Sequence, residues 1–532
     1  MYSHKTSINI LTAVMAGHGL RDVVVCPGSR NGALVHNFNE CPDFRCHAVT
    51  DERSAAFVAI GLIEATKRPV AVCVTSGSAL LGTLPAVAEA AMRHLPLLII
   101  SADRPQEWIG QLDGQTLPQV GAFQPYATSF VVPEVNTPSA HWYANRQANE
   151  ALLCVSRKQP VHINLPLSEP LFQFTEAKLP QERIFTEHRP VAKNPLSDDI
   201  VQQITSARLP VLLIGQNEET LPNIEKLEAV HNILILPEHL ANVPGAWRTA
   251  VMEYAEGLPE FQPDLIIHAG GNLVHKRTKL MLRKAPMCPV IRIDEYGECP
   301  DTFCHLQTMV RCGLPEVVEQ LCEMTECKPE VLRWKEILET HKIEARQLNF
   351  LSPENHTALR AVQLCCSAVH QQESASLHLA NSSTVRMASR FIEGGEYPVH
   401  CNRGTNGIEG TLSAAAGHAL RTSGNTVVIL GDLSFFYDSN ALCNPELSGN
   451  LRILLINNGG GAIFHQIAGL NTSSALQKYV AAGHNFNARG LAETYGLHYH
   501  SVNKYENLEA AIQFLMQHKA TRPVLVEVFT EQ

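Results

Sequence analysis

Short apolar runs, each ended by glycine or polar residues and followed by an amphipathic stretch, recur along all 532 residues. In the first third, Val23–Cys26, Val70–Thr75, Leu97–Ser101 and Val161–Leu165 read as strands, and Cys46–Val49 as a further one. Ala55–Ala65 and Leu84–Met92 read as the helices between them. Continuous apolar runs mark strands covered on both faces, so the alternation predicts a parallel sheet between two helical layers. From Phe172 to Asp199 the chain turns polar and proline-bearing, as a linker does. A second block begins at Pro210, with strands at Ile233–Leu236, Leu265–His268 and Val290–Ile293. Residues 316–346 are helical and charged and read as a helical bridge. A third block starts near Ser352, with strands Ser376–Ala380, Val399–Asn402, Thr426–Leu430, Arg452–Ile456 and Val524–Val528. The expected fold class is α/β, three consecutive α/β domains with parallel sheets, at residues 1–180, 190–345 and 350–532.

Two strand ends in the third block carry polar residues of one chemical kind. The run TVVIL ends in Gly431-Asp432-Leu433-Ser434-Phe435, and RILLI ends in Asn457-Asn458-Gly459-Gly460-Gly461. Asn440–Leu447 between them reads as a helix. The carboxyl ends of strands in an open parallel sheet face a common crevice. A carboxylate, a carboxamide and glycine carbonyls therefore converge, and such oxygens suit Mg²⁺ that keeps places for phosphate and water. The bland alternative is a pair of strand ends dressed with turn residues.

Gly-Asp followed by Asn458, 26 positions after Asp432, resembles the diphosphate/Mg²⁺ motif of thiamine diphosphate (ThDP)-dependent enzymes. GDLSF with a later Asp438, Asn440 and NNGGGAIF is similar to one branch, the 2-succinyl-5-enolpyruvyl-6-hydroxy-3-cyclohexene-1-carboxylate (SEPHCHC) synthases. PGSR, DERSAAF, TSG, ADRP and NRG extend the resemblance over essentially the whole chain. It implies the ThDP-binding fold, with a pyrimidine-binding first domain, a middle domain and a diphosphate-binding last domain. It assigns Asp432, Asn458 and the backbone oxygen of Gly460 to Mg²⁺ (Mn²⁺ being the alternative ion), and Gly431, Leu433 and Ser434 to the diphosphate, where helix N–H groups are free. Glu52 corresponds to the family's glutamate, which hydrogen-bonds the pyrimidine N1′ and starts catalysis. Its neighbour Asp51 reads as an acidic helix start. Ser76 and Gly77 end a strand and approach the cofactor, Gly407 meets the aminopyrimidine, and Ile408 wedges beneath it; each is equally at home in a turn or core.

Composition narrows the classes. Hydrophobic content of 45% and charged content of 18% are those of a globular domain protein, and the net charge of −10 argues against a general nucleic-acid surface. No apolar run is long enough to insert in a membrane, and the N-terminus lacks a signal-peptide core. Fifteen scattered cysteines without a CxxC pair suggest reduced thiols in a cytoplasmic enzyme.

Against the negative balance, cations stand at loop positions: Arg30 beside Ser29, Arg104, the pair Lys276-Arg277, Arg386 near Ser382, and Arg403. Each alone is an ordinary salt-bridging residue. Gathered at strand ends they suit substrates with several carboxylates, which arginine grips bidentately. The resemblance carries Ser29, Arg30, Arg104, Gln115, Lys276, Arg277, Ser382, Arg386 and Arg403 over as substrate contacts, with Ile463, Phe464 and Ile467 as an apolar wall, the first two also beside the cofactor. Leu433 stands where the superfamily usually has Gly, Gly114 where Asn is common, Asn31 for Ser, and Gly459 for Asn or Asp. The implied activity is decarboxylation of 2-oxoglutarate and 1,4-addition of the succinyl carbanion to isochorismate, in menaquinone biosynthesis, by a homodimer or homotetramer with sites between subunits. An acetolactate synthase-like carboligase and a non-catalytic diphosphate-binding α/β protein are the rival readings.

Overall fold

The computed structural model describes residues 1–188, 193–285, 288–297, 299–346, 353–517 and 519–530, with side chains left out at 353–356. Three all-parallel sheets follow one another along the chain. The first contains β1 (Asp22–Val25), β2 (Arg45–Ala48), β3 (Val70–Val74), β4 (Leu97–Asp103), β5 (Thr128–Val131) and β6 (Val161–Pro166), in the order β2-β1-β3-β4-β6-β5. The second contains β7 (Pro210–Ile214), β8 (Leu234–Pro237), β9 (Leu265–Ala269), β10 (Val290–Ile293) and β11 (Leu306–Val310), ordered β11-β10-β9-β7-β8. The third contains β12 (Ala375–Leu379), β13 (Val399–His400), β14 (Asn425–Gly431), β15 (Leu451–Asn457), β16 (His498–Val502) and β17 (Val524–Phe529), ordered β13-β12-β14-β15-β17-β16. Each sheet buries an apolar cluster on both faces, which is why its central strands read as unbroken apolar runs.

β5, β11 and β16 have no counterpart among the strands expected from the sequence. All three are edge strands. With one neighbour and a partly open face, HYHSV and LQTMV need no continuous apolar run. Two expectations are corrected. Asn440–Leu447 is not a helix: the chain makes a single 3₁₀ turn at Ser439–Leu442, and Pro445 has no N–H to extend it. The bridge expected at 316–346 is corrected in part: the helices Leu314–Leu321 and Pro329–Thr340 pack on the second sheet, and only the stretch after them reaches the third domain, where Lys342 (3.1 Å) and Arg346 pair with Glu393. The first helix buries Leu314, Val317, Val318 and Leu321 on one face of the second sheet, the second Val331, Trp334 and Leu338 on the other. Positions 190, 350 and Ser352, where domain limits and the start of the third block were expected, lie outside the described residues.

The closest backbone approach between the first and third domains is a helix crossing. Helix Glu52–Thr66 crosses helix Thr411–Ala419 at backbone distance. A Cβ at Gly61 would lie 1.9 Å from the Ala414 carbonyl oxygen, and one at Gly417 2.1 Å from that of Val58. Only glycine permits this approach from both sides.

Candidate active site

β14 and β15 pair in register, Gly431 beside Ile456, so both chains leave the sheet at the same level. Asp432 begins the helix Asp432–Tyr437 and is buried. Its Oδ2 accepts N–H bonds from Asn458 (3.0 Å), Gly459 (2.8 Å) and Gly460 (3.1 Å), and its Oδ1 accepts from Leu433 (2.6 Å). Burial nevertheless pushes the Asp432 carboxyl above the usual range, because no Lys or Arg among the described residues pairs with it; His484 Nε2, at 3.7 Å, is the one ion-pairing neighbour. The Asn458 carboxamide oxygen faces the same loop, accepting from Gly460 N–H at 3.3 Å. A buried carboxylate short of positive charge, beside a carboxamide oxygen and glycine backbone, is a donor set that a hard divalent cation fits. Asn457 is structural: its Nδ2 donates to Phe486 O and Glu527 Oε1. Gly431 is half-buried with free space where a Cβ would lie, Ser434 is buried, and Leu433, Ile463 and Phe464 are half-buried, while Ile467 is exposed.

In the first domain, Asp51 is an N-cap, accepting from Arg53 and Ser54 N–H, and its Oδ2 also takes Asn440 Nδ2 at 2.8 Å. That leaves Glu52 as the uncommitted carboxylate, half-buried at the first helical position. Gly82 passes close to it, since a Cβ there would sit 3.2 Å from Glu52 Cβ. Ser76 follows β3 with its hydroxyl buried and without a partner, and Gly77 turns the chain with φ +87°. On the third domain, the Glu89 carboxylate reaches across from the first to accept from Gly404 N–H (2.9 Å) and Thr405 N–H (2.7 Å), which fixes the start of the loop that carries half-buried Gly407 and Ile408.

The cations divide. Arg30 is buried, donating to Leu167 O (3.1 Å) and pairing with Glu169 (3.3 Å); Arg104 lies 3.8 Å from Asp113 and donates to Gly114 O. Arg277 donates to the Ala255 carbonyl (2.6 Å), and Lys276 is exposed beside it. Arg386 and Arg403 are neighbours in the third domain, where the charge of Arg386 adds to burial in disfavouring that of Arg403. Arg386 donates to Ser382 O, and Ser382 itself has φ +78°. Ser29 and Gln115 are exposed, Gln115 with its Cα close against Gly77. None of the interactions of the described residues joins Arg30 or Arg104 to Arg386 or Arg403.

Three residues that organise this region escaped the sequence reading. Asn381 donates to Asn402 O and Gly407 O and accepts from Arg403, so one carboxamide sets both the loop and the arginine. Gln119 accepts from Gly77 N–H and donates to Ser101 and Asn164. Lys279, half-buried near Arg403, has its proton affinity lowered by burial and by that arginine. Asn381 adjoins Ser382 in the motif NSSTVR and was within reach; the others carry no local signal.

Comparison with known proteins agrees with this geometry. The family model described as thiamine pyrophosphate enzyme, N-terminal TPP binding domain, matches residues 6–126, and that described as the C-terminal TPP binding domain matches 383–528. A protein of Bacteroides thetaiotaomicron named 2-succinyl-5-enolpyruvyl-6-hydroxy-3-cyclohexene-1-carboxylate synthase is 40% identical over 100% of this chain and 97% of its own length. Proteins of the same name from Porphyromonas gingivalis (34%, 99% and 95% covered) and Cytophaga hutchinsonii (33%, 95% and 92%) are similar end to end. The chain belongs to the SEPHCHC synthase family of thiamine pyrophosphate enzymes.

Proposed function

We propose that this chain decarboxylates 2-oxoglutarate and adds the succinyl carbanion to isochorismate in a 1,4 sense, giving SEPHCHC in menaquinone biosynthesis. The observation that carries this reading is the buried, cation-deficient Asp432 carboxylate beside Asn458 at two paired strand ends, within a chain matched end to end by synthases of that name. When bound, ThDP with Mg²⁺ supplies the electron sink for loss of CO₂. Asp432, Asn458 and the Gly460 carbonyl hold the metal, and Gly431, Leu433 and Ser434 lie against the diphosphate. Glu52, with no hydrogen bond of its own to give up among the described residues, exchanges a proton with the aminopyrimidine N1′. Ser76, Gly77, Gly407 and Ile408 seat the rings. Arg386 and Arg403, with Arg30, Arg104, Lys276 and Arg277, neutralise the substrate carboxylates, Ser29, Gln115 and Ser382 hydrogen-bond the substrates, and Ile463, Phe464 and Ile467 wall the site.

On this reading residues 1–180 are the pyrimidine-binding domain, 190–345 the middle domain and 350–532 the diphosphate-binding domain. The protein works in the cytoplasm as at least a homodimer, because the two cofactor halves belong to different domains and the family builds its sites between subunits. Purified protein with ThDP, Mg²⁺ and 2-oxoglutarate should release CO₂ in step with consumption of isochorismate. CO₂ release indifferent to isochorismate would move the reading to a simpler carboligase. No turnover of any 2-oxo acid would leave a binding protein.

A further inference from the structure

A second cluster of ligating side chains lies behind the site and shares no residue with it. Glu64, His378, His400 and His418 each offer one oxygen or nitrogen, all within 4.8 Å of one another, and all four residues are buried, between 2% and 4% exposed. The fold creates the cluster in two steps. The β12–β13 register sets His378 directly beside His400, so both imidazoles leave the sheet on the same side. The glycine crossing of the two helices then brings Glu64, one turn past Gly61, and His418, next to Gly417, over them. Glu64 Oε1 is 3.7 Å from His400 Nδ1, Glu64 Oε2 is 3.9 Å from His378 Nδ1, and the three ring centroids form a triangle with sides of 4.9, 4.9 and 5.1 Å.

Two observations point to a ligand. Glu64 Oε2, His378 Nε2, both ring nitrogens of His400 and His418 Nδ1 are buried without hydrogen-bond partners. In folded proteins buried polar atoms are as a rule paired, and five within one cluster of ligating side chains call for a partner. The surrounding charge is also unbalanced. Arg93 pairs with Glu64 (2.6 Å), with Glu218, and more loosely with Glu89 (3.7 Å), while the exposed Lys67 pairs with Glu218 (3.3 Å). Three carboxylates thus face two cations.

We propose that Glu64, His378, His400 and His418 bind a divalent transition-metal ion, Zn²⁺ first, which ties the first domain to the third. Three imidazoles and a carboxylate form a four-coordinate set for zinc, and nitrogen donors select against Mg²⁺ and Ca²⁺. Tetrahedral ligands at zinc's usual ~2.1 Å lie about 3.4 Å apart, so the cluster closes by roughly 1 Å or slightly more on loading. Glu64 and Arg93 line a cleft of about 1330 Å³ between the first and second domains, which gives the ion an entry path.

Metal analysis of full-length protein, produced with added Zn²⁺ and gel-filtered in excess Mg²⁺, should find about one Zn²⁺ per chain. The ion should remain in Asp432→Ala, which separates this site from the diphosphate site, and fall at least tenfold in His378→Gln/His418→Gln. Co²⁺ in its place should give the intense visible absorption of a four-coordinate ion. Folded wild-type protein with almost no zinc, zinc retained undiminished in the double variant, or the weak spectrum of six-coordinate Co²⁺ would each overturn the proposal. If the double variant does not fold, the wild-type zinc content and Co²⁺ spectrum decide alone.

Discussion

Replacing Asp432 by Asn keeps the volume of the side chain and removes its charge, so it separates the two things this residue does. In the free protein the carboxylate gathers four backbone N–H groups, three on Oδ2 and one on Oδ1. An Asn oriented with its oxygen toward the three loop donors leaves one N–H, that of Leu433, facing an NH₂ group. Such an unsatisfied donor costs about 1–3 kcal/mol. Burial disfavours the charge that is removed, and its relief acts in the opposite direction. The net change in stability of the free protein should therefore stay within about 2 kcal/mol. Cofactor binding should respond far more. Even residues that only orient a metal ligand change affinity by about 10–100-fold, so removing the charged ligand itself should exceed ~100-fold, or about 2.7 kcal/mol. The assay is calorimetric or fluorescence titration of ThDP at saturating Mg²⁺, alongside urea unfolding of the free protein. An affinity for ThDP within about threefold of wild type would refute the metal assignment. A large loss of stability with an equal loss of binding would show instead that Asp432 only holds the loop.

Glu52→Gln should fold and bind ThDP yet lose most exchange of the thiazolium C2 proton; normal exchange sinks the assigned role. Asp438, buried under Ser413, is raised from 3.8 to about 6 by burial. Because the native state holds this proton more tightly than the unfolded chain, its contribution is complete below pH ~4 and is lost as pH rises through ~6, about 3 kcal/mol in all. Asp438→Asn should flatten that part of the unfolding profile, and parallel profiles for the two proteins would contradict the argument. Gly61→Val should destabilise by about 3 kcal/mol or more, since its side chain would meet the Ala414 carbonyl at backbone distance; a wild-type unfolding midpoint would show that the helices can part. Arg386→Ala should raise KM for 2-oxoglutarate about 10–100-fold with ThDP affinity unchanged, the effect of losing one charge-assisted contact; an unchanged KM removes it from the substrate contacts.

What the sequence made legible follows from how locally each feature is encoded. Strands such as Val290–Ile293 and Val524–Phe529 are buried on both faces, and a run of apolar residues has no other home. β16 was missed because an edge strand can be built from His498, Tyr499 and His500. Asn440–Leu447 was misread because its apolar and polar spacing suited a helix while Pro445 did not. Of the proposed site residues, Asp432 and Asn458 fall at strand ends and Glu52 at a helix start, where a local pattern singles them out. Glu89 does not: it lies inside a helix of the first domain, and its partners, Gly404 and Thr405, are some 315 residues later. No local pattern encodes a pairing of that span. For the same reason the sequence-derived set of cations could name Arg30 and Arg403 together without showing that the first is held by Glu169 and the second by Asn381.

Several of the contacts between the first and third domains are polar. Asp51 holds Asn440, Arg53 donates to Tyr437 O at 2.7 Å, His47 meets Glu446 at 3.0 Å, Glu89 fixes the 404–405 loop, and Glu64 enters the histidine cluster. Residues 51 and 53, which bracket Glu52, thus bond to the segment 437–440 that directly follows the Asp432 helix. A movement of that helix is therefore felt at both neighbours of Glu52. The ties of Asp51 and Arg53 are charge-assisted hydrogen bonds at exposed positions, which orient the chain more than they stabilise it. On the proposed reading, a shift at the Asp432 end should therefore reach Glu52 through them. Asn440→Ala tests this: it removes one of the two ties without touching either half-site. It should slow C2-proton exchange while leaving ThDP affinity near wild type, whereas unchanged exchange would show that the Asp51–Asn440 tie does not position Glu52.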